Sequence, residues 1–431
     1  MNIEEYITTL TEQIRFKQAR SGVAQEIRNH ISDQTQAFEQ NGMEHEKAVE
    51  MAVREMGDPV EAGVALDRIH RPQFDWRLFM ITVLFSAAGV FIMYATGALG
   101  GESAQLIRQC FFTFLGIGII VLICFADYTF IGKYALQIYL IMTAAFYVYQ
   151  NTGIRVNGIV PALRNIVYLY VPVYAGLLYK YRGEKIQNFI KPLVFLFLTG
   201  LFVQRFASSL FIGLGIGVIC MLLFLYAVLK GWFQIRGKRI KAFVAVFAFV
   251  LVVFTVYVLC FAADYQKMRM LAFLHPDEYM DANYQLMATR RAMNGAQIIG
   301  VSTEGMIIKQ LVQQDTFLIF AQVVAMYGFI AGAAVIAAFG AVVYSALHVV
   351  RRQKNQLGMI LSAACFLLIV FNCTTGIFMN FGLLPMGSLQ FPFLCRGGSG
   401  TIMYAVIIGL LMSCNRYSCI QLNHFNRKKK C

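Results

Sequence analysis

Long apolar runs separated by short polar segments dominate the chain after residue 72. A helix needs about 20 apolar residues to cross a bilayer, and most of these runs reach that length. Charged residues make up only 14% of the chain, against about 25% in soluble domains. The pattern therefore predicts an all-α polytopic membrane protein with ten transmembrane helices. The predicted spans are 78–97, 109–126, 130–149, 162–180, 189–204, 207–229, 241–262, 317–349, 358–380 and 399–420.

The start of the chain has a different pattern, in which apolar side chains recur at helical spacing among many charged ones. One such series runs from Ile3 to Ile14. The segment DPVE at 58–61 combines an N-cap residue, a proline at the first helical position and a capping-box glutamate. We predict a small cytoplasmic helical domain over 1–71, serving as an interaction or regulatory module or as a stabilising cap, followed by a membrane domain over 72–431.

Basic residues set the predicted orientation. They cluster in the loops after spans four, six, eight and ten, and the loops between carry fewer. By the positive-inside rule these loops face the cytoplasm, so both termini are predicted to be cytoplasmic in a multi-pass plasma-membrane protein. The loop 263–316 then lies outside and holds six of the nine acidic residues that follow residue 77. The net charge of +14 thus fits membrane topology, and we predict no nucleic-acid partner.

A polar loop interrupts the apolar pattern just before the last span. It reads LLPMGSLQFPFLCRGGSGTIM over residues 383–403 and contains two prolines seven residues apart. Gly397 and Gly398 would let backbone N–H groups approach an anion. We predict that this loop either lines an external site or re-enters to cap the helix bundle.

The same loop resembles the last-loop signature of the FtsW/RodA/SpoVE (SEDS) family, ten-span proteins of bacterial cell-wall synthesis. The resemblance covers about residues 78–420. Its motifs are Asn380-Phe381-Gly382-Leu383-Leu384-Pro385, Pro392-Phe393, Gly397-Gly398-Ser399, the Arg108-Gln109 pair, Val156-Asn157-Gly158, Asn283–Leu286 and Thr316–Gly328.

This resemblance implies polymerisation of glycan strands from lipid II, the undecaprenyl-linked disaccharide-pentapeptide, beside a penicillin-binding transpeptidase, during cell elongation, division or sporulation. The reaction needs a general base. It also needs basic side chains or a divalent cation to offset the pyrophosphate charge. We predict no metal-binding residues in the chain and no cofactor other than this divalent cation. The alternatives are a non-catalytic scaffold that binds the precursor or a transpeptidase, and a transporter of the lipid-linked precursor. The near absence of intramembrane acids argues against coupling of such a transporter to protons.

The sequence departs from the family pattern at the position of the family's aspartate. Phe317 stands there, and Asp315 lies two residues earlier. Asp315 is predicted to be the catalytic base after a small local shift, or else an ordinary exposed loop acid. Met326 stands where a glutamate is expected, and Arg396 follows Cys395 in place of a Ser-Tyr pair.

Nine further residues are predicted to bind substrate. Arg205 and Arg396 are expected either to hold the pyrophosphate bidentately or to reach lipid headgroups. Asn380 is expected to bind the ligand or to hydrogen-bond to neighbouring helices. The nine are Arg108, Gln109, Arg205, Asn380, Pro392, Arg396, Gly397, Gly398 and Ser399.

Overall fold

The structure is a computed structural model whose described part is helical and contains no β-strand. It describes the chain except for residues 71, 97–102, 156–159, 208, 234–247, 249–251, 253–255, 257–259, 261–263, 277, 303–307, 309–315, 386, 388–390, 395 and 419–431. The helices are α1 (Ile3–Glu12), α2 (Lys17–Gln40), α3 (His45–Glu55), α4 (Pro59–His70), α5 (Trp76–Ala95), α6 (Ser103–Phe125), α7 (Thr129–Thr152), α8 (Pro161–Ile166), α9 (Tyr170–Lys180), α10 (Ile186–Ala207), α11 (Leu210–Leu229), α12 (Asp264–Leu274), α13 (Met280–Asn294), α14 (Ile319–Tyr327), α15 (Phe329–Arg352), α16 (Gln356–Asn380) and α17 (Gly398–Arg416).

The described residues form two compact units. The first combines Met1–Phe74 with Arg352–Gly358 and the chain from Asn415 onward. The second contains Asp75–Arg351 and Met359–Cys414. The predicted boundary at residue 71 stays a prediction.

The core of the first unit is built from the apolar faces of its short helices. Tyr6, Leu10 and Ile14 are fully buried there, in agreement with the helical spacing of the sequence. The Tyr6 hydroxyl donates a hydrogen bond to the carbonyl of Met56 at 3.1 Å. Burial raises the pKa of the Tyr6 phenol, and the Asp58 carboxylate adds to the shift.

Helix α4 begins where the sequence predicts. Its first residue is Pro59, and the Asp58 carboxylate accepts a hydrogen bond from the N–H of Val60 at 3.2 Å. Helix α4 lies close to α1 at Gly63, because this residue has no side chain. A Cβ atom at this position would lie 2.5 Å from the carbonyl oxygen of Leu10.

Eight of the described helices are long and apolar enough to cross a membrane. They match eight of the ten predicted spans, and span seven, 241–262, lies outside the described residues except for isolated positions. The count of ten stays a prediction. The eight helices are α5, α6, α7, α10, α11, α15, α16 and α17.

Predicted span four is broken in the structure. A 3₁₀ turn, Val167–Leu169, separates the short helix α8 from α9, and the residues of α9 up to Tyr179 are buried. The hydroxyl of Tyr170 hydrogen-bonds to Thr143 of α7 at 2.9 Å, and that of Tyr174 donates to the carbonyl of Pro192 in α10 at 3.3 Å. Because each hydroxyl has a partner, these tyrosines can lie in the interior of the bundle. Their polar groups lower the hydropathy of this segment.

Predicted span eight, 317–349, is longer than one membrane crossing needs, and in the structure it is divided. A short 3₁₀ turn, Thr316–Leu318, leads into α14, and Gly328 then separates α14 from α15. Gly328 has a φ of +89°, which glycine adopts without steric cost. A side chain at this position would also collide with the backbone of Ile298. Hydropathy did not reveal the break because apolar residues continue on both sides of it.

We expect Gly63→Ala to loosen the packing of α1 against α4. The clash with Leu10 costs about 1–3 kcal/mol, which outweighs the roughly 1 kcal/mol gained in helix propensity. Faster amide hydrogen exchange in both helices of the full chain would show the loss. The control is Val64→Ala, a change at the neighbouring position, where the side chain is 43% exposed. Unchanged or slower exchange in Gly63→Ala would contradict this account of the crossing.

Candidate functional site

Two distant sequence motifs meet where α17 begins. The backbone N–H of Gly397 donates a hydrogen bond to Oε1 of Gln109 on α6 at 3.0 Å. Gln109 is buried, and Gly397 has a φ of +115°, which disfavours any other residue. The Arg-Gln pair and the Gly-Gly-Ser motif, 288 residues apart in the chain, thus form one structural feature.

Ser399 connects a third element to this feature. Its hydroxyl accepts a hydrogen bond from the Nδ2 of Asn165 on α8 at 2.7 Å. A side chain at Gly398 would collide with the ring of Phe112, so glycine allows α17 to lie against α6. We call the end of the bundle that carries Gln109, Asn165, Gly397 and Ser399 the signature end.

The three predicted arginines differ in their surroundings. Arg108 is exposed, and its guanidinium carbon lies 5.8 Å from the ring centroid of Phe112. Arg396 is half-buried and directly precedes Gly397. Arg205 is exposed in the last turn of α10, and within the described part of the chain no hydrogen bond or ion pair joins it to the signature end. Arg108 and Arg396 are therefore direct neighbours in sequence of Gln109 and Gly397, the two residues of this hydrogen bond. Arg205 is not a sequence neighbour of either residue.

Pro392 and Phe393 form a tightly held part of the loop. Pro392 is buried, and Phe393 has a φ of +63°, which is rare for a bulky residue. The Phe393 ring lies 5.7 Å from that of Phe85 on α5 and 5.9 Å from that of Tyr404 on α17. Gly89 brings the α5 backbone against the Phe393 carbonyl. Contacts on two sides thus hold this conformation in place.

Asn380 and the turn Thr316–Leu318, which follows Asp315 in sequence, form a second part of the candidate site. Asn380 ends α16, is 1% exposed and donates a hydrogen bond to the carbonyl of Phe317 at 2.8 Å. Asp315 itself lies outside the described residues, as do Val156-Asn157-Gly158 and Cys395. The first described residues after Asp315 are the 3₁₀ turn Thr316–Leu318.

Sequence reasoning missed several polar groups of the signature end. Besides Asn165, they include Tyr168, a buried side chain near Arg164. The Tyr168 hydroxyl and Oε1 of Gln150 on α7 are buried without a hydrogen-bond partner among the described residues. Buried polar groups are nearly always paired, and residues 156–159, which lie between these two in sequence, are outside the described part of the chain. The neighbouring Val156-Asn157-Gly158 motif was the sequence signal that marked this region.

A family model for FtsW, RodA and SpoVE, described as "Cell cycle protein", matches residues 73–419. The chain belongs to this family. The match begins after the helices of the N-terminal region and includes every residue of the candidate site.

Relatives of this SEDS protein have names that refer to peptidoglycan glycosyl transfer and to sporulation. It is 25% identical over 269 residues to "Probable peptidoglycan glycosyltransferase FtsW" of Idiomarina loihiensis, covering 60% of this chain and 63% of the relative. It is 22% identical over 163 residues to "Stage V sporulation protein E" of Bacillus subtilis, covering 37% and 44%. The chain thus spans less than two thirds of the length of either relative.

Two solved structures have the same fold as this SEDS protein. One is a chain from "Structural coordination of polymerization and crosslinking by a peptidoglycan synthase complex", with a TM-score of 0.61, 16% identity, and coverage of 80% of this chain and 98% of that chain. The other is the rod shape determining protein RodA of Thermus thermophilus, with a TM-score of 0.55, 13% identity, and coverage of 80% and 97%. Despite the low identity, the likeness extends over nearly all of each solved chain and over 80% of this chain.

We expect Gly89→Ala to displace the Pro392-Phe393 loop. The added methyl group would overlap the Phe393 carbonyl oxygen, at a cost of about 1–3 kcal/mol. Gly118→Ala on α6 is the matched control, since nothing lies within 4 Å of a Cβ there. The measurement is thermal unfolding of both variants in the same detergent. Equal melting temperatures would refute the close packing of α5 against the loop.

Proposed function

We propose that this protein polymerises peptidoglycan glycan strands from lipid II at the signature end of its membrane domain, taken to face outward. The supporting observation is the junction of α6, α8 and α17, where Gln109 holds Gly397 and Asn165 holds Ser399. Family membership and the name of the FtsW relative support the same reaction.

In the proposed reaction a sugar hydroxyl attacks the anomeric carbon of a second, pyrophosphate-linked sugar. A C–O bond forms to the hydroxyl oxygen, the bond to the pyrophosphate oxygen breaks, and the hydroxyl proton passes to a general base. We assign the base role to Asp315, which directly precedes the turn Thr316–Leu318. The lipid pyrophosphate departs with the bonding electrons.

The developing pyrophosphate charge requires positive partners. We assign this role to Arg108 and Arg396, assisted by the N-terminus of α17, which carries the positive end of the helix dipole. Arg205 is a further candidate for the same anion. The described residues contain no group of three His, Cys, Asp or Glu side chains suited to a metal. We assign the neutralisation of the pyrophosphate charge to these cations and keep a divalent ion as the alternative.

We further propose that a penicillin-binding transpeptidase acts beside this chain and that both termini are cytoplasmic. The structural neighbour from a synthase complex that coordinates polymerization and crosslinking supports the first proposal. The basic loops after spans four, six, eight and ten support the second.

A non-catalytic scaffold that binds lipid II or a transpeptidase is the second candidate function. The observation that favours it is Phe317, an apolar side chain in the position of the family's aspartate. The signature end would then bind the precursor without transferring it.

Asp315→Ala should abolish glycan polymerisation by the purified protein. The assay supplies lipid II, a divalent cation and a candidate transpeptidase, and measures polymer length on a gel. Glu278→Ala, which removes an exposed acid from the same predicted external loop, should retain activity. Because general acid–base catalysis contributes about 10²–10⁴-fold, the expected loss in Asp315→Ala is of that order.

Two other results would change the assignment. Polymer from both the wild type and Asp315→Ala would keep the enzyme and discard Asp315 as its base. No polymer from either protein, with lipid II binding retained, would favour the scaffold.

The proposed orientation predicts which introduced cysteines an impermeant maleimide can reach in intact cells. In a background without native cysteines, Glu278→Cys should be labelled, because the loop 263–316 is predicted to be external. Glu184→Cys, in the basic loop after span four, should be labelled only after permeabilisation. The reverse pattern would overturn the proposed topology.

A further inference from the structure

The side chain of Asn380 is used entirely within the protein. Its Nδ2 donates hydrogen bonds to the carbonyls of Phe317 at 2.8 Å and Gly376 at 2.9 Å. Its Oδ1 accepts a hydrogen bond from the backbone N–H of Ala321 at 2.9 Å. An asparagine amide has two N–H donors and one oxygen, so all three groups are engaged.

The bond to Ala321 is a helix cap supplied from another part of the chain. Ala321 is the third residue of α14, and the first N–H groups of a helix have no acceptor within it. Capping usually comes from a polar side chain at the N-cap position, but here that residue is Leu318. Asn380, 59 residues later in the chain than Ala321, supplies the missing oxygen.

A second contact joins the same end of α16 to α13. Arg290 of α13 donates to the carbonyl of Gly382 through Nη2 at 2.8 Å and Nε at 3.3 Å. Gly382 has a φ of +70°, and a Cβ there would lie 2.7 Å from Cγ of Arg290. Asn380 of the Asn-x-Gly motif therefore binds the segment that follows residues 303–315. Gly382 of the same motif binds Arg290, which precedes those residues in the chain.

Main-chain bonds add a third connection. The N–H of Ser302 donates to the carbonyl of Ala325 at 2.8 Å, and the N–H of Phe329 donates to that of Gln297 at 3.0 Å. The segment after α13 is thereby held along the end of α14. Fixed points thus exist on both sides of residues 303–315.

We propose that Asn380 and Arg290 are positioning residues that hold the turn Thr316–Leu318, next to Asp315, in its working place. Asn380 then acts on turnover through this turn and does not bind the substrate. This inference rests on the proposed glycan polymerisation for its kinetic part, and its structural part stands without it.

The test is Asn380→Leu, which keeps the side-chain size and removes all three hydrogen bonds. Asn372→Leu is the matched control, because Asn372 is also buried in α16, but among the described residues its amide donates only within that helix, to Leu368 at 3.1 Å. We expect amide hydrogen exchange over 316–321 to accelerate at least about tenfold in Asn380→Leu and to stay unchanged in Asn372→Leu, as local opening sets the exchange rate.

Polymerisation kinetics supply the functional measurement. Asn380→Leu should lower kcat at least about tenfold with KM for lipid II unchanged, since a misplaced reacting group slows the chemical step. Should Asn380→Leu fail to fold, Arg290→Gln tests the same proposal from the other contact. Its control is Arg291→Gln, at the adjacent exposed arginine.

The outcomes separate this proposal from the proposed function. Unchanged exchange over 316–321 in both Asn380→Leu and Arg290→Gln would overturn the positioning role. A higher KM with unchanged kcat would overturn it in favour of direct substrate binding by Asn380. If the wild type makes no polymer, the proposed function fails, and accelerated exchange confined to this turn would still support the structural role.

Discussion

In a membrane protein, every backbone break near the bilayer must find its hydrogen-bond partners within the protein. Lipid offers no donors or acceptors, so irregular backbone is tolerated only where other parts of the chain satisfy it. The candidate site consists of such breaks, namely the 3₁₀ turn before α14, the loop at Pro392-Phe393 and the start of α17. The buried polar side chains nearby are there because these breaks need them.

Two of these breaks, at the start of α17 and before α14, are satisfied by residues distant in sequence. Gln109 accepts a hydrogen bond from the N–H of Gly397. Asn380 accepts one from the N–H of Ala321 and donates one to the carbonyl of Phe317. Because the partners belong to different helices, every such bond also fixes one helix end relative to another. The polar side chains that satisfy the backbone at these helix breaks thereby also hold the candidate site in one geometry.

Hydropathy predicted most of the membrane helices, because a span of sufficient length is apolar whatever it contacts. It also located span four, 162–180, where α8 and α9 lie, but it did not predict the 3₁₀ turn between them. The tyrosine hydroxyls of α9 are paired with Thr143 and with the carbonyl of Pro192. It also missed the break at Gly328, which interrupts hydrogen bonding without changing polarity. Asn165 gave no signal in the sequence, since its partner Ser399 is 234 residues away. Local patterns report what a segment can bury, whereas pairing between segments appears only after folding.

The family motifs divide into those that build the frame and those that carry charge. Gly397, Gly382 and Asn380 retain the family pattern, and each makes a backbone or capping contact that another residue would not reproduce. Phe317, Met326 and Arg396 are among the positions that depart from the family pattern. The bond from Asn380 is made to the backbone carbonyl of Phe317 and not to its side chain, so this contact does not depend on which residue stands at position 317. These departures alter the charge at the candidate site while the contacts of Gly397, Gly382 and Asn380 are kept, and the added arginine suits the anionic substrate that we propose.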